Sequence, residues 1–266
     1  WRLETAATSA FSEELQVVSA LHQLGADLDD PLEISREGRQ VLVSGTGIPP
    51  QRQQQIHGLL DRMPHVVMRF DDPAFPASAM PVPSEPATRD AAGPEKPTHA
   101  ARIEERLGGR PQFERFSSSV LEWTDSAMTR AYALRRLAPQ FSAAAESQMT
   151  AEDRSTLRAL GREHLAAFAK DMERVATTVN PILTSMGVTG VGAGAAQHET
   201  SPGPAAWQSA SEDLLASARR AETLLAVALG VAPAENATGN VPAQLLSALA
   251  QISARTEQCH RLLVDR

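Results

Sequence analysis

PLEISREGRQVLVSGTGIPPQRQQQIHGLLDRMPHVVMRF, residues Pro31–Phe70, decides the fold of the N-terminal part of this 266-residue chain. Leu32 and Ile34 alternate onto one face of a first strand, and Val41 and Val43 onto one face of a second. Val66, Met68 and Phe70 do the same in a third; this is the period-two pattern of a sheet buried on one side. Between the second and third runs, Ile56, Leu59, Leu60 and Met63 recur at helical spacing behind Pro49-Pro50, a dipeptide suited to a helix's first turn. Upstream, Phe11, Leu15, Val18 and Leu21 predict a helix over Ser9–Leu24, with Gly25 as its stop. The N-terminal unit therefore reads helix–strand–strand–helix–strand.

Working outward, Pro73–Thr98 carries a proline every few residues and little apolar periodicity, as expected of an extended linker. Everything beyond it is helical in pattern. Phe113, Phe116, Val120, Trp123, Ala127, Leu134, Leu137 and Phe141 step at three- and four-residue intervals, with Pro139 expected to kink or end that helix. Thr150 predicts an N-cap for a long helix through Leu157, Leu160, Phe168, Met172, Val175, Val179 and Met186, bent at Asn180-Pro181. After a Gly/Ala/Pro-rich connection at Gly187–Pro204, one helix runs from Trp207 to Gly230. Another starts near Asn240-Val241-Pro242 and carries Leu245, Leu249, Ile252, Cys259 and Leu263. The fold class is thus α+β: a small αββαβ domain at 1–72, a Pro-rich linker at 73–100, and an all-α antiparallel bundle of about four helices at 101–266.

Composition narrows the function. Aromatics are only 4% of the chain while alanine abounds, which favours closely packed helices. A formal net charge of −7 argues against non-specific nucleic-acid binding. Cys259 is the sole cysteine, so no intrachain disulfide or cysteine-based zinc site can form. No run approaches the roughly 18 apolar residues of a membrane span. The sequence starts at Trp1 rather than Met; a removed signal or membrane anchor upstream fits that start, and so does a trimmed domain.

The segment from about Asp30 to Phe70 resembles the BON domain of bacterial envelope proteins. Val41-Leu42-Val43-Ser44-Gly45 matches that family's second strand and its closing glycine, and the following helix and the Val66-Val67 strand match the rest of its pattern. Pro64 stands where the family has a glycine before the last strand. The resemblance implies an extracytoplasmic, periplasmic setting, a protein or cell-envelope partner, and no catalytic residues or cofactor.

Candidate chemistry is sparse. His164 lies four residues after Leu160 and four before Phe168, beside the apolar seam, where it reads as a structural core polar residue or, alternatively, as a ligand. Glu257 and His260 have E-x-x-H spacing, but a single copy falls short of a carboxylate-bridged metal bundle, and the pair is expected on a solvated face. Asp27, Asp29 and Asp30 lack the spacing of an EF-hand and read as a solvated loop. Gly45-Thr46-Gly47 is no dinucleotide fingerprint, and Gly187–Gly194 lacks the Lys-Ser/Thr of a P-loop. On the face of the sheet opposite the core, Leu42, Val67 and Arg69 form a candidate interaction surface, expected to dock on the bundle or on an outside partner. These readings add up to a non-enzymatic periplasmic interaction or sensor module, tethered to the membrane in one version. The alternatives are a small-ligand or metal-binding bundle and a cytoplasmic self-associating scaffold.

Overall fold

The computed structural model describes residues 2–71, 98–187, 206–233 and 239–264; at residues 2–10 and at 29 it describes the backbone alone. The fold is α+β, a three-stranded sheet with its helices followed by a helical bundle. Residues 73–97 of the expected linker and 188–204 of the expected connection lie outside the described residues, while His99 and Ala100, assigned to the linker, are helical because Thr98 caps a helix there.

The N-terminal unit has the predicted order. Helix α1 (Arg2–Gln23) is followed by a single turn, α2 (Ala26–Asp29), then β1 (Leu32–Glu37), β2 (Gln40–Thr46), α3 (Pro50–Leu60) and β3 (Val66–Asp71). Gly25 breaks α1 in the left-handed conformation, φ 71°, which costs glycine nothing. Strand β2 is central, antiparallel to β1 and parallel to β3, with α3 as the crossover. The register pairs Ile34 with Val43 and Val43 with Met68, so the apolar set shares one face, as its alternation requires. That face packs beneath Val17, Ala20 and Leu21 of α1 and Ile56 and Leu60 of α3. Gly45 is fixed by contact rather than by backbone conformation: a Cβ there would sit 2.4 Å from Ile48 Cδ1. His65, directly after Pro64, is the only non-glycine residue with positive φ among the described residues, at 64°.

The second part holds α4 (His99–Leu107), α5 (Arg110–Gln140), α6 (Ala143–Gln148), α7 (Ala151–Ser185), α8 (Trp207–Ala228) and α9 (Val241–Val264). Thr150 caps α7 as expected, its hydroxyl accepting from the Asp153 amide at 3.1 Å. Helix α5 ends one residue after Pro139, and α7 runs through Pro181 to Ser185. Four long helices pack in a square, α5 on α7 and α8, and α9 on α8 and α7. Contacts run in opposite directions between neighbours. Ser126 meets Asp171 while Gly161 lies against Leu134, and Arg135 meets Glu212 while Tyr132 meets Arg219. This is an antiparallel bundle. The short helices α4 and α6 were not foreseen; one or two turns offer too little periodicity to read.

A buried carboxylate pins one end of the bundle. Glu146 of α6, 6% exposed, accepts from Arg158 Nε at 2.6 Å, Trp207 Nε1 at 2.9 Å and Gln208 Nε2 at 2.9 Å, tying α6 to α7 and α8. Burial alone would raise its carboxyl, but these three donors outweigh burial and hold it below the usual range.

The two parts meet along α1, which corrects the expectation that the Leu42–Val67 face docks on the bundle. Leu15 and Val18 of α1 enter the bundle core, while Val17, Ala20 and Leu21 turn to the sheet. The predicted single stripe therefore divides between two partners: a helix pressed between a sheet and a bundle buries two faces. Among the described residues, Leu42 and Val67 join neither core, and Arg69 is exposed. They stay together as a face of the sheet, since Leu42 pairs with Val67. No described helix is long and apolar enough to cross a membrane.

Candidate functional site

The seam between α1 and the bundle is polar at both ends. Helix α1 runs alongside α7 in the same direction, Ser12 bonding Asp153 and His22 bonding Glu163. Toward α5, Glu14 accepts from Gln140 at 2.9 Å. Desolvation raises the Glu14 carboxyl, with the Gln140 bond opposing it.

At the C-terminal end of α1 the seam closes on a cluster of His22, Asp27 and His164. His22 continues the Leu15–Val18 stripe by one helical turn, so it faces the bundle rather than solvent. Gly25 then reverses the chain, and the one-turn α2 delivers Asp27 to the same point. The Arg136 guanidinium of α5 secures that turn, donating to the backbone carbonyls of Asp27 and Leu32. His164 arrives from the middle of α7 and is 2% exposed.

Asp27 Oδ2 lies 2.8 Å from His22 Nδ1 and 3.1 Å from His164 Nε2. The two imidazole rings meet edge to face, their centroids 4.7 Å apart. His22 Nε2 contacts Glu163 Oε2 at 2.9 Å, and that carboxylate reaches solvent. Burial alone would raise the Asp27 carboxyl, but hydrogen bonds from His164 and His22 outweigh it and hold it far below the ordinary carboxylate range. His22 is raised, chiefly by its bond to Asp27. Two buried atoms of the cluster, Asp27 Oδ1 and His164 Nδ1, have no hydrogen-bond partner.

The sequence-predicted candidates part company here. His164 has partners that its own helix could not supply. Asp27 and Asp30 are not the solvated loop expected of them: Asp27 is buried under the histidines, and Asp30 is paired with Arg52 at 2.6 Å. Glu257 and His260 are exposed on α9, and no metal-ligating third residue stands with them among the described residues. Glu257 lines a groove of about 950 Å³ between α7 and α9, walled by Met172, Ala176, Leu249 and Ile252; His260 lines a smaller hollow next to it. Cys259 is fully buried, and burial pushes its thiol up to about 12, which makes it inert. The partners His22 and Asp27 escaped sequence reasoning. The available signal was a histidine extending an apolar stripe and an acid just past a glycine stop.

The chain matches no family model, no curated protein and no solved structure.

Proposed function

We propose that the protein is a non-enzymatic regulatory and interaction module that acts by changing how its αββαβ unit is held against the bundle. The observation that carries this reading is the His22–Asp27–His164 cluster on the seam. Apolar contact across the seam is modest, centred on Leu15 and Val18 with Phe11 and Ile34 beside them. Much of the attachment is therefore left to buried polar groups. Such groups hold firmly when every partner is present and weaken steeply when one is lost, because an uncompensated buried charge remains. A seam of this kind has two states, engaged and released, and released it frees the bundle-facing stripe of α1 for another protein. A bacterial envelope setting, with an anchor upstream, belongs to the same reading and draws on the BON-like run Val41–Gly45 and its following helix and strand.

Native-state hydrogen exchange tests it. In Asp27→Ala the amides of α1 are expected to exchange at least tenfold faster, while those of α8 and α9 keep their wild-type protection. Were α1 to exchange only together with the whole bundle, in wild type and variant alike, the two parts would be a single body with no seam to regulate.

A further inference from the structure

We infer that His22, Asp27 and His164 form a binding site for one divalent transition-metal ion of zinc type, placed to fasten α1 to α7. His22 Nδ1, Asp27 Oδ2 and His164 Nε2 come from three separate elements, and their ligand atoms all lie within 4.8 Å of one another. In a tetrahedral zinc site with bonds of about 2.0–2.1 Å, neighbouring donors stand about 3.3 Å apart. The carboxylate oxygen is 2.8 and 3.1 Å from the two nitrogens and no two ligand atoms are more than 4.8 Å apart, so rotation of the three side chains would draw them around an ion.

An outer carboxylate for His22 is also in place. A neutral imidazole has one N–H, yet His22 faces a carboxylate oxygen at each ring nitrogen, Asp27 on one side and Glu163 on the other. With an ion on Nδ1, the single proton belongs on Nε2 and is donated to Glu163. That is the carboxylate–histidine–metal arrangement by which an outer carboxylate fixes the tautomer and orientation of a ligand. Glu163 thus has a positioning role.

The second observation is an unpartnered oxygen of the buried carboxylate. Asp27 is 9% exposed and its Oδ1 has no donor, although buried polar atoms nearly always find one. Coordination supplies what the protein does not, since a carboxylate can bind an ion through either or both oxygens. Two imidazoles and a carboxylate suit zinc and its first-row neighbours; calcium and magnesium prefer sets of oxygens alone. Three protein ligands leave a fourth position for water or the second carboxylate oxygen. Asp27 and Leu28 also border a cavity of about 380 Å³ against α5.

This assignment names the effector of the proposed seam and rests on that reading, but the two can fail separately. The full chain, stripped with a chelator, is titrated with Zn²⁺ by calorimetry and with Co²⁺ by visible absorption. One ion per chain is expected, with the d–d bands of a four-coordinate nitrogen–oxygen site. His22→Ala and Asp27→Asn should each weaken binding at least a hundredfold; both retain helical far-UV dichroism if folded. His260→Ala should bind as wild type. No Co²⁺ bands, or binding that survives His22→Ala and is lost in His260→Ala, overturns the site. If Zn²⁺ fails to bind while Asp27→Ala still loosens α1 selectively, the site is wrong and the seam stands. If Zn²⁺ binds one to one without slowing exchange in α1, the site stands and the seam reading falls.

Discussion

Glu146→Gln is the sharpest probe of how the bundle is pinned. The wild-type carboxylate accepts three donors from two other helices: Arg158 Nε at 2.6 Å, Trp207 Nε1 at 2.9 Å and Gln208 Nε2 at 2.9 Å. Glutamine keeps the shape but offers one carbonyl oxygen and one NH₂ group, so at least one donor comes to face another donor. It also removes the negative charge to which the Arg158 guanidinium is bonded. Breaking a buried ion pair costs about 3–5 kcal/mol; with one hydrogen bond retained, about 2–4 kcal/mol is expected here. For a chain of this size that corresponds to a fall in melting temperature of about 5–15 °C. Urea unfolding followed by tryptophan fluorescence reads the loss directly, and the exposed Glu152→Gln should change stability by less than about 0.5 kcal/mol.

The same variant carries a pH signature. The folded Glu146 carboxyl lies below its ordinary value of 4.5, so its contribution is complete above that value and vanishes as pH falls through the folded one. The gap between wild type and Glu146→Gln should therefore be constant from about pH 5 to 8 and close in acid. A gap under about 1 kcal/mol at neutral pH, or one that does not narrow below pH 4.5, would refute the account.

Three further outcomes are expected. Gly45→Ala should cost about 1–3 kcal/mol, because the new methyl meets Ile48 at 2.4 Å, and adding Ile48→Val should recover much of it; equal stability of the single and double variants in urea would contradict the contact. His65→Val should lose about 1–2 kcal/mol by placing a β-branched residue at φ 64°, whereas His65→Gly should hold or gain stability; a valine variant with the wild-type urea midpoint would rule that turn out. Leu42→Glu combined with Val67→Glu should leave the scattering radius of the full chain unchanged, since α1 makes the attachment; an enlarged radius would return the docking role to the sheet.

The fold was legible where local chemistry alone decides structure. Alternation at Leu32–Ile34, Val41–Val43 and Val66–Phe70, with Pro49-Pro50 as punctuation, gives the element order and the buried face of each strand, whereas the pairing, antiparallel for β1–β2 and parallel for β2–β3, depends on tertiary contacts. The bundle helices announced themselves through long apolar stripes and the Thr150 cap. The division of α1 between two partners was not legible, since Leu15, Val18 and Leu21 look like one face until both sides are known to be covered. The site was half legible: His164 could be placed on the seam by its spacing. Its partners could not, because a pairing such as His22 with Glu163 spans 141 residues and leaves no local periodicity. Glu257 and His260 lie on an exposed face of α9, as expected from their single E-x-x-H copy.

The parallel seating of α1 along α7 also dictates an order of events during synthesis. The groove that receives Leu15, Val18 and His22 is walled by α5 and α7, and the bond from Ser12 to Asp153 joins residues 141 positions apart. At about 5–20 residues per second, α1 emerges from the ribosome some 7–30 seconds before its seat exists. The sheet can close at once on Val17 and Leu21, but the opposite stripe stays in water until α5 and α7 follow. The N-terminal unit is thus born as a half-finished interface, completed only when its own C-terminal bundle arrives.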